Sequence, residues 1–72
     1  MNFNYTETIY EIIYVKEGKN LGKCRNVQEA IQIINKFLRG NNIIPRNYVI
    51  TEKDNFTQLK NGENIFHLYK IK

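Results

Sequence analysis

The sequence predicts an α+β domain in which one amphipathic helix packs on one face of a mainly antiparallel sheet of three to five strands. Three observations carry that prediction. Apolar residues recur at helical spacing between positions 27 and 38, on one face only. Segments 9–16, 48–53 and 65–71 concentrate β-branched and aromatic residues. Beyond the helix, Asp54-Asn55 reads as a turn and Asn61-Gly62 as a tight-hairpin signal. The order is β(β)αβββ within one domain, residues 1–72, with no linker or repeat.

The first strand, residues 9–16, reads IYEIIYVK. One face carries Tyr10, Ile12 and Tyr14, the other Ile9, Ile13 and Val15, so both faces are apolar enough to be covered. Glu17, Gly18, Lys19 and Asn20 form a turn, and residues 21–24 form a short return strand. Asn26 then stands as an N-cap with Glu29 three residues on, a capping-box arrangement. Val27, Ala30, Ile31, Ile34, Phe37 and Leu38 make one apolar stripe and predict a helix over 27–39. Lys36 and Arg39 complement the helix C-terminus, and Gly40 is the expected stop. Residues 41–47 are a loop in which Pro45 holds Ile44 extended. Strands follow at 48–53, 56–60 and 65–71, and Asn61-Gly62 is a strong tight-hairpin signal.

Composition removes more functions than it suggests. The chain of 72 residues contains no serine, one cysteine, one histidine and one aspartate. A serine nucleophile and an internal disulfide are excluded. Cys24 and His67 are the one conceivable nucleophile–base pair, with no third residue indicated to orient them. No spacing suits a metal, so neither metal nor cofactor is expected. Gly18-Lys19-Asn20-Leu21-Gly22-Lys23-Cys24 faintly echoes a phosphate loop. It lacks one residue between the glycines, and Cys24 stands where a magnesium-binding hydroxyl belongs. The expectation is therefore a protein that is not an enzyme. No apolar run is long enough for a membrane span, and residues 1–14 lack a signal-peptide pattern, so a cytoplasmic location is expected.

Asn, Ile, Lys, Tyr and Phe make 39 of the 72 residues, whereas Ala, Gly, Pro and Arg total nine. The first group has AT-rich codons and the second GC-rich ones, which points to a low-GC bacterium, its phages or its mobile elements. The formal charge of +4 rests mostly on lysine, which such coding supplies freely, and only three residues are arginine. Lys19, Lys23, Arg25, Lys36 and Arg39 are the candidates for an anion or partner site. Tyr10, Ile13, Tyr14, Val15 and Tyr69 are the candidate interface residues, since tyrosine buries area at low entropic cost. These readings lead to a small binding protein acting stoichiometrically on a protein partner or a small anionic ligand. An inhibitor or ligand sponge from a phage or mobile element, directed at a host defence protein or its ligand, fits size and composition. The alternative is a nucleic-acid-binding regulator using a Lys/Arg/Tyr surface. Apolar residues left over by a single helix predict a homodimer or higher oligomer, through the second sheet face or an edge strand, unless Phe3 and Tyr5 fold back over that face.

Overall fold

The helix begins where the capping pattern places it. In the computed structural model, which describes residues 8–72, α1 spans Val27–Gly40 and Asn26 is its N-cap, in extended conformation. The Asn26 Oδ1 accepts from the Glu29 N–H at 2.9 Å, and the Glu29 Oε1 accepts from the Arg25 N–H at 2.8 Å. The glutamate reaches one residue beyond the cap, to the Arg25 N–H in place of the Asn26 N–H of a standard box; the Asn26 cap contributes about 1 kcal/mol. The helix end corrects the expectation. Gly40 is still helical, Asn41 is the cap, and Asn42 takes the left-handed turn at φ 61°. The Asn41 N–H and side-chain amide both bond the Phe37 carbonyl, and the Ile43 N–H bonds the Leu38 carbonyl at 2.8 Å. Asparagine tolerates that conformation, so the glycine is not needed for it.

Five strands complete the domain: β1 (Tyr10–Tyr14), β2 (Lys19–Cys24), β3 (Tyr48–Glu52), β4 (Thr57–Asn61) and β5 (Asn64–Lys70). All pairings are antiparallel and the spatial order is β2-β1-β5-β4-β3. The last strand in sequence is therefore the central strand in space. The helix connects the two outermost strands. The tight loop between β4 and β5 is Gly62-Glu63 rather than Asn61-Gly62, because Asn61 pairs with Asn64. Gly62, at φ 61°, takes the first central position, where a left-handed backbone suits the twist of a hairpin. The first turn lies earlier than expected, around 15–18, and β2 is correspondingly longer.

One sheet face lies under the helix. Ile12, Tyr14, Cys24, Leu59, Phe66 and Leu68 meet Ala30, Ile34 and Leu38 there, all buried. Tyr14, Phe37 and Phe66 form an aromatic cluster with centroid separations of 5.1, 5.2 and 6.1 Å. The Tyr14 hydroxyl escapes an unpaired burial by donating to Asn64 Oδ1 at 3.0 Å. Ile33 and Ile43, which the sequence leaves off the stripe, also pack against this core. The one buried polar side chain among the described residues is Asn61. Its Oδ1 accepts from the Arg46 N–H at 2.9 Å and its Nδ2 donates to the Arg46 carbonyl at 2.8 Å. Asn61 thus imitates a neighbouring strand and pins the loop that leads into β3. No helix among the described residues is long and apolar enough to cross a membrane.

Candidate functional site on the open sheet face

Strand periodicity sends every second side chain to the face away from the helix. Three rows result from the strand registers. Lys23, Glu11 and Tyr69 align across β2, β1 and β5. Asn20, Ile13, His67, Gln58 and Thr51 form the middle row across all five strands. Ile65, Lys60 and Val49 form the third, with Val15 beside Ile65 through the Val15 N–H to Ile65 carbonyl bond of 3.0 Å. No other described element lies over this face.

Its centre is aromatic. The His67 ring stacks on Phe56 at 4.1 Å between centroids, and Tyr69 completes the cluster at 5.5 Å from Phe56 and 5.9 Å from His67. His67 Nδ1 lies 3.1 Å from the Tyr69 hydroxyl and Nε2 lies 3.4 Å from Gln58 Oε1. A neutral imidazole carrying its proton on Nε2 satisfies both, accepting from the tyrosine and donating to the glutamine. Burial pushes the His67 pKa below the usual 6.5, in the same direction. The consequence for stability has a definite sign. Above pH 6.5 the ring is neutral folded or unfolded and contributes nothing. As pH falls below that value the unfolded chain takes up a proton that the folded ring resists, so stability is lost through that window. The thermal midpoint is expected to fall from about pH 7.5 to about pH 5.5, and His67→Phe to remove that part of the fall. Superimposable pH profiles for the variant and the wild type would refute the assignment.

The sequence-derived candidates are distributed over both faces. Ile13, Val15 and Tyr69 stand on the open face, Val15 and Tyr69 exposed. Tyr10 and Tyr14 do not: Tyr10 packs against the core, and Tyr14 is a core residue at 7% exposure, held by Phe37, Phe66 and Asn64. The alternation of β1 already separates them from Ile13. Of the five candidate cations, Lys23 alone shares the aromatic face, where Lys60 also stands. Arg25 lies beside it near the helix N-terminus, in a groove shared with Ile9, Cys24 and Glu29. That helix end already holds its own carboxylate, since Glu29 occupies the Arg25 N–H. Lys19 lies at the other end of β2, its ammonium 5.6 Å from the Phe37 ring centroid on the helix side. Lys36 and Arg39 belong to α1.

The two groups of the conceivable dyad are on opposite sides of the sheet. Cys24 is buried on the helix side, where burial and the Glu29 carboxylate push its thiol pKa up, away from a reactive thiolate. His67 faces the other way. The glycine-flanked 18–24 segment is a turn and an antiparallel edge strand, not a loop feeding a helix from a parallel sheet. Among the described residues no group of three or more His, Cys, Asp or Glu side chains suits a metal. Phe3 and Tyr5, whose folding back was the alternative to self-association, lie outside the described residues. Sequence reasoning named His67 only as a conceivable base and did not place His67, Phe56 or Gln58 in the interface. His67 was legible, because it shares strand parity with Tyr69. Phe56 and Gln58 were not, because their place depends on the β4–β5 register. Comparison with protein-family models, with curated proteins and with solved structures found no match to this chain.

Proposed function

We propose that the protein is a small non-catalytic binding protein that acts stoichiometrically, seating the open face of its sheet on a protein partner. One observation carries this reading: the Phe56–His67–Tyr69 cluster at the centre of that face, flanked by Ile13 and Val15. Aromatic side chains anchor protein interfaces, and a polar surround of Lys23, Glu11, Gln58 and Lys60 resembles an interface rim. A neutral His67 favours the same use, because burying an uncharged ring costs far less than burying a cation.

Charge placement favours a protein over nucleic acid. A single strand stacked on Phe56 and Tyr69 needs cations tracking its phosphates on the same face. Lys19, Lys36 and Arg39 are on the helix side or the helix itself, away from the rings. Composition and size favour a phage or mobile-element inhibitor working in a bacterial cytoplasm against a host defence protein.

The test is calorimetric titration of a partner captured from a low-GC bacterial host and then purified. Binding of one partner per chain is expected, with Phe56→Ala or Tyr69→Ala weakening it about 30-fold or more. Lys36→Ala should change it less than about threefold. Affinity lost with Lys36→Ala but retained in both aromatic variants would move the site off this face. Tight oligonucleotide binding that survives about 150 mM salt would make the nucleic-acid reading correct instead.

A further inference from the structure

Of the eleven asparagines in the chain, only Asn61 is followed by glycine. That pair is chemically labile in an unfolded chain. The Gly62 backbone nitrogen, unhindered by a side chain, attacks the side-chain carbonyl carbon of Asn61, ammonia leaves, and a five-membered succinimide closes. Water then opens the ring. Attack at the side-chain carbonyl gives aspartate. Attack at the Asn61 main-chain carbonyl gives isoaspartate, in which the chain continues through the side-chain carbon. The net change is amide plus water to carboxylate plus ammonium.

The fold demands this pair for two separate reasons. Gly62 supplies the positive φ of 61° at the first position of the loop between β4 and β5. Asn61 supplies both groups that hold the Arg46 backbone. A tight-hairpin reading of the sequence puts Asn61 inside the turn, but the register puts it at the end of β4, at 1% exposure. That shift protects it. Ring closure needs a negative ψ at Asn61, whereas a residue in an antiparallel strand has a ψ of about +135°. Ring closure also needs the amide to swing onto the Gly62 nitrogen. The amide is held at both ends, its Oδ1 by the Arg46 N–H at 2.9 Å and its Nδ2 by the Arg46 carbonyl at 2.8 Å. Solvent is close by, since Gly62 and Glu63 are exposed and border an open groove with Ile43, Ile44 and Arg46. Geometry is what blocks the reaction.

We propose that Asn61-Gly62 is a deamidation site closed by the fold and opened by release of Asn61 from Arg46, so that a chain is marked covalently when it unfolds. The mark also hinders return. An aspartate carboxylate has no hydrogen to donate to the Arg46 carbonyl. Isoaspartate adds a carbon to the main chain at the residue that pairs with Asn64, and so breaks the register of β4 on β5. Because β5 is the central strand, both halves of the sheet then lose their common neighbour. None of this involves the open sheet face.

The experiment follows the full chain at mildly alkaline pH by mass spectrometry and peptide mapping, folded in buffer and unfolded in guanidinium chloride. Deamidation at Asn61 is expected to run about 100-fold or more faster in the unfolded chain, and to track the unfolded fraction at intermediate denaturant. The product carries one unit less positive charge than the formal +4, which separates it by cation exchange. On removal of denaturant it should fail to regain the native circular dichroism that the unmodified chain recovers. Arg46→Pro takes away the N–H held by Oδ1 and should raise the rate in the folded chain about tenfold. Should that variant not fold, the comparison of folded and unfolded wild type still decides. Folded and unfolded rates within about threefold of each other would overturn the proposal. So would faster reaction at another asparagine in the unfolded chain, a folded Arg46→Pro protein that reacts no faster, or a deamidated product that refolds as the wild type does.

Discussion

Phe66→Ala is expected to remove a large part of the domain's stability at 25 °C. Phe66 is fully buried, on the central strand, with its ring against Tyr14 and Phe37. Removing a buried phenylalanine costs about 3–5 kcal/mol, as lost transfer energy plus the cavity left behind. A chain of 72 residues has about 4–11 kcal/mol in total at the usual stability per residue. The loss is thus a large part of everything available. The urea midpoint should fall by about 2 M or more, at the slope usual for small domains. Val49→Ala, at an exposed position of β3, should change stability by no more than about 0.5 kcal/mol. Comparable midpoints for the two variants would mean that the core is not centred on Phe66.

Asn61 is expected to give the second largest effect, of a different kind. Asn61→Leu keeps the size roughly but leaves the Arg46 N–H and C=O facing an apolar group. The loss of two backbone partners at a buried site costs about 2–4 kcal/mol. Asn61→Asp separates the two bonds. A carboxylate oxygen still accepts from the Arg46 N–H, but the other oxygen faces the Arg46 carbonyl and repels it. Burial and that repulsion hold the new acid's pKa above the unfolded value of about 3.9. The folded state then keeps a proton that the unfolded state releases, so this contribution is present at low pH and lost as pH rises through the raised pKa. Relative to wild type, Asn61→Asp should therefore be least destabilised in acid. Equal destabilisation at pH 4 and pH 7 would show that the amide's donor is dispensable.

The elements that sequence alone revealed are those specified locally. Asn26 and Glu29 mark the helix start, and the stripe from Val27 to Leu38 marks its buried side, because both signals lie within a few residues of one another. The sequential order of the strands and their mainly antiparallel sense followed from turn chemistry; the spatial order, which needs β5 beside β1, did not. What stayed hidden depends on partners distant in sequence. Tyr10, Tyr14 and Tyr69 look alike as strand tyrosines, yet Tyr14 is fixed in the core by Asn64 and Phe66, some fifty residues away. Asn61 reads as a turn residue, and only the approach of Arg46 turns it into a buried clamp. The Phe56–His67–Tyr69 cluster needs the β4–β5 register before Phe56 and His67 meet.

The central position of β5 also sets an order of events during synthesis. β1 and β2 emerge first, the helix next, then the hairpin of β3 and β4, and the strand that joins the two halves comes after all of them. Until it arrives, β1 and β4 each present an unmatched inner edge, and neither two-stranded piece is stable alone. Folding therefore waits for residues 64–70 to clear the ribosome, then proceeds by inserting a strand into a prepared gap, a slow step dominated by non-local contacts. Where several unfolded chains are close together, the β5 of one competes for the same gap in its neighbour. Exchange of that strand between chains is the misfolding route this topology invites.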